Sequence, residues 1–327
     1  MNPTFSPLVG SLIADAMSMP VHWYYDQNAL ERDYGLINDY LSPRSPHADS
    51  ILWRSNYTPI NDRGDILREQ AEWWGKRGVH YHQFLTAGEN TLNFQLALEL
   101  AEMIEELRGY DSNQWLQRYI NFMLTPGKHR DTYCEEYHRH FFTNYASGKK
   151  PDACGVSDVH IGGLAAVPAL VATLGNSDPS LRAVVQKHVS LTHRDEGVLR
   201  AADVLVRILM RTGKGDDLRV AILEEAPDWI SAAAIRKLEK HSDREVVGGI
   251  LSSACYIPDA FPAALYLSYR YAGNFTAGVC ANAQVGGDNC HRGAVVGSLL
   301  ASGGIPSQWI NGLKSHKRVI KPSSLSV

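Results

Sequence analysis

Apolar residues in this chain recur at intervals of three and four, the spacing that places them on one face of an α-helix. Leu96, Leu100 and Met103 form one such series, and residues 199–209 carry another. Residues 294–301 are small and apolar nearly all round, which is typical of a helix buried at the centre of a bundle. The sequence lacks the long alternating runs of Val, Ile and Thr that indicate strands. It therefore predicts an all-α fold.

Length and composition favour one domain. The 327 residues are 44% hydrophobic and 20% charged, ordinary values for a globular protein that buries its own core. No internal repeat or low-complexity linker divides them. Residues 42–65 and 144–163 are rich in Pro, Gly and polar groups, and we expect them to be long loops with a functional role. We expect a single compact multi-helix domain over residues 1–327, with a loose tail from about Lys314.

Charge and cysteine usage narrow the partners and the compartment. A net charge of −3 and a pI near 6.5 provide no global attraction for nucleic acid or an anionic membrane, so we expect neither as a partner. Five scattered cysteines without a CxxC pair argue against a disulfide framework and fit a reducing compartment. Residues 1–7 lack the basic start of a signal peptide, and the apolar run 8–19 is too short to span a bilayer. We expect a cytoplasmic protein, and the sequence leaves its oligomeric state open.

The densest group of reactive side chains lies near the C-terminus. Gly286 and Gly287 permit a close approach of the backbone to a ligand, and Asp288 precedes a predicted helix. Cys290 follows, and His291 shares a helix face with Asp288. These groups could bind a metal or share a proton. The alternative is that Asp288 only caps the helix.

A second group precedes the helix predicted from Leu92. Glu89 and Asn90 stand where that helix begins, a place where a carboxylate gains about 0.3–1 kcal/mol from the helix dipole. Glu89 could therefore either cap this helix or take part in catalysis. His82 lies on the same side as His80 if this stretch is extended.

The N-terminal segment combines a buried charge with aromatic rings. Asp15 lies in an apolar helical run, where a carboxylate must find a partner. His22, Trp23 and Tyr24 follow, and their rings could stack on a base or a sugar, or form the edge of the core.

Two further segments contain histidines. His160 lies close to Gly162 and Gly163, which leave room for a ligand. Thr192 and His193 precede a predicted helix, and we expect His193 to be structural.

Taken in this order, the segments resemble the motifs of the ADP-ribosylglycohydrolase family, also called the dinitrogenase reductase-activating glycohydrolase or J1-crystallin group. The resemblance runs from about Gly10 to Ala301. The similar stretches are residues 14–22 for a GDAxGxPxE-like motif, 88–91 for a TDDT-like motif, 161–168 for a middle motif that ends in proline, 192–193 for a Thr-His step, and 286–291 for GGDxDT.

The resemblance implies an all-α domain with a cleft that holds two magnesium ions, which position ADP-ribose and help to activate the water that cleaves its glycosidic bond. Several of the implied ligand positions differ in this sequence. Glu89 and Asn90 stand in place of an aspartate pair, Cys290 and His291 replace Asp-Thr, and residue 22 is His instead of Glu.

These changes leave Glu89 and Asp288 as the carboxylates that could bind a metal. Magnesium prefers oxygen ligands, whereas Cys and His favour a softer ion such as zinc. We expect either one divalent metal, magnesium or a softer ion such as zinc, or no metal.

The resemblance predicts a hydrolase that cleaves an N- or O-glycosidic bond of ADP-ribose or a related ribosyl or nucleotide-sugar substrate, free or attached to an ADP-ribosylated partner. Such cleavage needs a carboxylate and an acid. Glu89 or Asp288 is the predicted carboxylate, and His291 or His22 is the predicted acid. The expected substrate-binding residues are Asp15, Trp23, Tyr24, His82, Asn90, His160, Gly162, Gly163, Gly286, Gly287 and Cys290.

Two alternatives remain open. In the first, the chain is a non-catalytic family member that binds a ligand or serves as a structural, crystallin-like protein. In the second, Cys290 acts as a nucleophile that His291 activates, although adjacent residues seldom have the geometry for such a pair.

Overall fold

Helices and connecting loops make up residues 6–319, the part of the chain that this computed structural model describes. Within that range the backbone forms isolated β-bridges and no strand, which confirms the predicted all-α class. The α-helices are α1 (Ser6–Ser18), α2 (Gln27–Tyr34), α3 (Leu92–Leu107), α4 (Ser112–Leu124), α5 (Glu136–Ala146), α6 (Val167–Leu174), α7 (Leu181–Ser190), α8 (Glu196–Thr212), α9 (Leu218–Glu225), α10 (Ala232–Leu238), α11 (Asp243–Val246), α12 (Ile257–Arg270), α13 (Phe275–Gln284), α14 (Asn289–Leu300), α15 (Ser307–Gly312) and α16 (His316–Val319). Short 3₁₀ turns lie at Met19–Val21, Leu52–Arg54, Arg68–Trp73, Pro151–Ala153, Ile161–Leu164 and Ala301–Gly303.

The antiparallel pair α1 and α14 forms the centre of the fold. Every residue of α14 is buried, as its small apolar composition predicts. A Cβ atom on Gly10 would lie 2.1 Å from the carbonyl oxygen of Gly297, so the two backbones touch where glycine leaves room. The same contact brings the end of α1 against the start of α14. The segments that follow α1 and precede α14 therefore meet.

Side chains cap the first turn of several helices, but Asp288, at the start of α14, does not act as such a cap. Asp195 accepts hydrogen bonds from the backbone N–H groups of Gly197 and Val198 at 2.8 and 3.2 Å. Asp288 precedes α14, but its carboxylate makes no cap hydrogen bond. The capping alternative for Asp288 is thus not realised, and its oxygens face other side chains.

Irregular segments meet near the start of α14. The backbone N–H of Asp288 donates to the Ser253 carbonyl at 2.9 Å, and the N–H of Ile161 donates to the Cys255 carbonyl at 2.8 Å. Residue 161 belongs to the second of the two predicted long loops. Loops on a helical scaffold therefore supply many of the side chains around Asp288.

The C-terminal segment is held by specific contacts as far as the structure describes it. The Ser315 hydroxyl donates to Asn90 Oδ1 at 2.7 Å, and Arg318 pairs with Glu99 and Glu102 at 2.9 and 2.7 Å. These contacts involve residues 315–318, at the start of the segment that we predicted to be a loose tail. Residues 320–327 of that tail lie outside the described residues.

Candidate active site

Asp288 is the centre of a buried cluster of imidazole rings. Its Oδ1 atom lies 2.6 Å from His291 Nδ1 and 2.9 Å from His22 Nε2. Its Oδ2 atom is buried, makes no hydrogen bond and lies 3.4 Å from His160 Nε2. Asp288, His22 and His291 are each 1% exposed or less. A carboxylate at this depth needs positive charge or donors beside it, because burial disfavours ions.

A line of close contacts leads from Asp288 into the interior. His22 Nδ1 lies 2.8 Å from His82 Nε2, and His82 Nδ1 lies 2.6 Å from Asp131 Oδ1. The other oxygen of Asp131 accepts from the backbone N–H of Leu92, the first residue of α3. This line fixes the orientation of the His22 ring toward Asp288.

Glu135 is a second buried carboxylate next to the cluster. Its Oε1 atom lies 3.4 Å from His291 Nε2, and its Oε2 atom, which has no hydrogen-bond partner, lies 3.8 Å from His138 Nε2. Burial raises the pKa of Glu135, but the hydrogen bond and charge of His291 and the charge of His138 outweigh this and hold the pKa well below its usual range. Glu135 is therefore ionised at neutral pH.

His291 lies between these two carboxylates. Burial lowers its pKa, but Asp288 and Glu135 outweigh burial and raise the pKa to about 10. Burial likewise raises the pKa of Asp288, while His291 and His22 hold it well below its usual range. His22 differs, because burial lowers its pKa to about 3 despite its contact with Asp288. Without a bound ion, His291 is the cation of this cluster and His22 is neutral.

His160 presents a ring N–H beside Asp288. Its Nδ1 atom accepts a hydrogen bond from the backbone N–H of Gly162 at 2.8 Å, so the neutral ring carries its proton on Nε2. Burial lowers the pKa of His160 against the opposing charge of Asp288 and favours this neutral form. His160 is thus a hydrogen-bond donor at the edge of the cluster.

A cavity of about 270 Å³ adjoins the cluster, with Glu135 and His160 in its wall. Trp23 stacks on His22 with ring centroids 3.7 Å apart, and its ring meets Tyr81 and Tyr133 edge-on at 4.8 and 5.0 Å. The lining residues are Trp23, Tyr25, Ile51, Tyr81, Tyr133, Glu135, Glu136, Asp158, His160, Cys255 and Tyr256. Aromatic rings and carboxylates in one cavity are suited to a sugar or a heterocycle.

The structure brings together six of the residues predicted from the sequence. They are His22, Trp23, His82, His160, Asp288 and His291, of which Trp23 and His160 line the cavity. His82 contacts His22 from the interior and is not in the cavity wall.

Glu89 does not join this arrangement. One of its oxygens accepts from the backbone N–H and hydroxyl of Thr86 at 2.7 and 3.0 Å, and the other pairs with Arg130. Both oxygens are therefore engaged elsewhere, and the structure gives Glu89 no part in the cluster as catalytic carboxylate or metal ligand.

Asp15 and Asn90 form a separate buried network. The Asp15 carboxylate accepts from the hydroxyl and the N–H of Thr91 at 2.7 and 2.9 Å, and from the Asn90 amide at 2.9 Å. The Asn90 amide also donates to the Leu12 carbonyl at 2.8 Å. These contacts join α1 to the start of α3 and leave no Asp15 oxygen for a ligand.

The glycines predicted to make room for a ligand lie instead against protein atoms. A Cβ atom would come within 2.7, 2.7, 2.2 and 2.1 Å of a neighbouring side chain or backbone at Gly162, Gly163, Gly286 and Gly287, respectively. Close packing of the chain accounts for glycine at these positions.

Tyr24 and Cys290 are buried away from the cavity. The Tyr24 hydroxyl donates to Asp33 at 3.1 Å. The Cys290 thiol faces the Asp15 carbonyl at 3.7 Å, and burial raises its pKa well above the usual range. A thiol in that state is a poor nucleophile, so the predicted pairing of Cys290 with His291 is not supported.

Three residues between α4 and α5 were not predicted from the sequence. Asp131, Tyr133 and Glu135 alternate along this linker, a spacing that places side chains of an extended chain on one side. Two acidic residues and a tyrosine at alternate positions were the available signal. Asn93 of α3 was also missed, and its amide nitrogen lies 2.6 Å from His291 Nε2.

The donor atoms do not fit a pair of magnesium ions. Magnesium requires near-octahedral oxygen ligands. The oxygens of Asp15 and Glu89 are engaged by other donors, and Asp288 Oδ1 is in contact with two imidazole nitrogens. Nitrogen atoms thus surround the carboxylate that the family motif retains.

Two groups of side chains are nevertheless close enough to share one ion. They are His22, Asp288 and His291, and His160, Cys255 and Asp288, with donor atoms within 4.8 Å of one another in each group. Donor sets of this kind suit a borderline transition metal better than magnesium.

The fold and the site define an all-α protein whose candidate active site lies at the N-terminal end of a central buried helix. The family model for ADP-ribosylglycohydrolase matches residues 6–324, and the chain belongs to that family. This confirms the resemblance seen in the motifs.

Individual relatives agree with this assignment. Crystallin J1A of Tripedalia cystophora is 23% identical over 96% of this chain and 92% of its own length. A solved structure of an ADP-ribosylglycohydrolase-related protein complex has a TM-score of 0.62 and 19% identity, and the match covers 98% of this chain and 96% of the other. That level of identity shows a shared fold. Across the described residues, no helix combines the length and apolarity needed to cross a membrane.

Proposed function

We propose that this chain is a glycoside hydrolase that cleaves an N- or O-glycosidic bond of ADP-ribose or of a related ribosyl or nucleotide-sugar substrate. One observation carries the proposal: Glu135 and Asp288 lie on either side of His291, next to an aromatic cavity, and each has a buried oxygen without a hydrogen-bond partner. Glu135 Oε2 lies 3.8 Å from His138 Nε2 and Asp288 Oδ2 lies 3.4 Å from His160 Nε2, so each oxygen can still accept a hydrogen bond from a ligand or a water. Glycosidases commonly use a pair of carboxylates.

Glu135 is the proposed base. It lies in the cavity wall, is ionised, and its Oε2 makes no hydrogen bond. Because its pKa is lowered, Glu135 is a weak base, and it accepts the proton of the attacking water only as the bond to the anomeric carbon forms and makes that water acidic. The negative charge of Asp288 stabilises the oxocarbenium-like state that develops on the sugar. Glu135 thus takes the role that the sequence suggested for Glu89 or Asp288.

His160 is the proposed donor to the leaving group. Its Nε2–H is directed beside Asp288 and its ring lines the cavity. The sequence suggested His22 or His291 for this role, but both ring nitrogens of His22 contact His82 and Asp288, and those of His291 contact Asp288 and Glu135. Hydrogen bonding from a fixed N–H stabilises charge that develops on a departing oxygen or nitrogen.

The residues that line the cavity suit only one part of the proposed substrate. It contains the acidic residues Glu135, Glu136 and Asp158 and no lysine or arginine. Negative walls repel phosphate, so the cavity is suited to the ribosyl ring and a neutral or cationic leaving group. A volume of about 270 Å³ is also at the small end for ligand sites, which favours one sugar ring and its substituent.

The test measures release of the ribosyl product from a panel of N- and O-linked ADP-ribosyl and nucleoside substrates by mass spectrometry. Glu135→Gln should reduce turnover about 10²–10⁴-fold while calorimetric affinity for ADP-ribose changes only a few-fold. Glu89→Gln is the comparison, because the sequence alone favoured that carboxylate, and it should retain activity. Loss of turnover in Glu89→Gln but not in Glu135→Gln would overturn the assignment of the base.

A second candidate function is that of a non-catalytic binding or structural protein. The similarity to a crystallin along 96% of this chain favours it. ADP-ribose binding with no turnover of any substrate in the panel would select this candidate.

A further inference from the structure

We infer that His22, Asp288 and His291 bind a single transition-metal ion through two imidazole nitrogens and one carboxylate. The site differs from a magnesium pair in the kind of ion, the number of ions and the ligands. The inference concerns binding, so it holds or fails independently of the proposed hydrolysis.

The donor set is the first support for this site. The donor atoms of the three residues lie within 4.8 Å of one another, and all three side chains are buried. Two histidines and one carboxylate leave further coordination positions open, as in catalytic zinc sites and non-haem iron sites.

The buried carboxylate of Asp288 is a second observation. Its Oδ2 atom makes no hydrogen bond and lies 3.4 Å from His160 Nε2. A cation bound by the carboxylate would offset the burial of its negative charge more fully than this contact does.

His22 is held from its outer side. Its Nδ1 atom lies 2.8 Å from His82 Nε2, and His82 Nδ1 lies 2.6 Å from Asp131 Oδ1, so these contacts point His22 Nε2 toward Asp288 Oδ1 at 2.9 Å. Metal-ligating histidines generally hold their outer nitrogen in this manner.

His291 has a corresponding outer acceptor. Glu135 Oε1 lies 3.4 Å from Nε2 and can take the ring proton when Nδ1 binds an ion. The Asn93 amide nitrogen lies 2.6 Å from the same Nε2 atom and holds this edge of the ring.

Protons compete with a metal ion for the donor atoms of this site. The distances of 2.6 and 2.9 Å from Asp288 Oδ1 are those of hydrogen bonds. Zinc bonds of about 2.0–2.1 Å at tetrahedral angles place ligand atoms roughly 3.3 Å apart. The two rings must therefore withdraw by about half an ångström when an ion binds.

The other group of donors, His160, Cys255 and Asp288, is less suitable. His160 Nδ1 accepts from Gly162, so Nε2 carries the ring proton and has no lone pair for an ion. His160 and Cys255 line the cavity instead.

The first experiment uses the full chain after treatment with a chelator. Zn²⁺, Co²⁺, Fe²⁺ without oxygen, and Mg²⁺ are added separately, and retained metal is measured by elemental analysis after gel filtration. We expect one equivalent of zinc, cobalt or iron, no retained magnesium, and visible absorption bands of four- or five-coordinate cobalt. Failure to retain any of the three transition ions, or retention of two magnesium ions, would overturn the inference.

Variants then locate the ion. His22→Gln and His291→Gln should each weaken zinc affinity at least about 100-fold, since loss of an outer partner alone costs about 10–100-fold. His140→Gln, an exposed histidine of α5, is the matched control and should bind zinc as the unaltered protein does. Circular dichroism checks that each variant is folded. If a variant does not fold, the cobalt spectrum of the unaltered protein tests the inference in its place. If both folded variants bind zinc as tightly as the unaltered protein does, the ion lies elsewhere and the inference is refuted. Zinc binding without hydrolysis would refute only the proposed function.

Discussion

Asp15 gives the buried network between α1 and α3 a measurable dependence on pH. Burial raises its pKa from the ordinary value of 3.8 to about 6, although three hydrogen bonds oppose the rise. A carboxyl group whose pKa is higher in the folded state binds its proton more tightly there. Its stabilising contribution is therefore fully present below the unfolded pKa and is lost as pH rises through about 6. A pKa that rises from 3.8 to about 6 corresponds to a change of about 3 kcal/mol in the free energy of unfolding. The carboxyl group is fully buried, so solvent screening does not reduce this figure.

Asp15→Asn removes this titration while keeping the size of the side chain. Urea unfolding between pH 3 and 8 should show the unaltered protein losing about 3 kcal/mol of unfolding free energy relative to the variant, mostly between pH 4 and 6.5. Asp62→Asn, at an exposed position, is the control and should show a difference that varies by less than about 0.5 kcal/mol. A difference between the unaltered protein and Asp15→Asn that stays constant over this range would refute the reasoning.

Two further predictions test the packing around the site. Gly10→Ala places a methyl group 2.1 Å from the Gly297 carbonyl oxygen, so thermal or urea unfolding should show a loss of about 3 kcal/mol or more, whereas Gly109→Ala, with no atom within 4 Å, should change stability by less than about 0.5 kcal/mol. Cys290 should resist alkylation in the native protein and react after unfolding, as measured by mass spectrometry of the labelled peptides, because it is buried with a raised thiol pKa. Rapid native labelling of Cys290, or equal stability of the two alanine variants, would contradict the packing described for α14.

The sequence predicted the kind of fold better than its arrangement. The small apolar run 294–301 indicated a central helix, and α14 is buried along its full length. Nothing in that run identified α1 as its partner, because an apolar face shows that a helix is buried and not what covers it. Gly10 and Gly297 make the contact close, but each glycine taken alone is compatible with many environments.

Some residues of the candidate site could likewise be predicted from the sequence, and others could not. His22, Asp288 and His291 were predicted because reactive side chains are dense in their segments, and they do contact one another. Glu89 contacts Thr86 and Arg130 and not this cluster, since a helix start tells where a residue lies along the chain but not which way its side chain points. Glu135 was missed because its linker has no helical or strand period to draw attention to it.

The charges around His291 connect the altered motifs to the proposed site. Two carboxylates, Asp288 and Glu135, flank this ring at 2.6 and 3.4 Å. Two magnesium ions would bring four positive charges to this pair and would need further acidic ligands, which Asp15 and Glu89 do not provide. A single divalent ion balances the two carboxylates, and an imidazolium at His291 balances one of them. Asn90, Cys290 and His22 stand where the family motifs have acidic residues, so fewer carboxylates remain to offset the charge of bound cations, and the single ion that we propose matches this smaller negative charge.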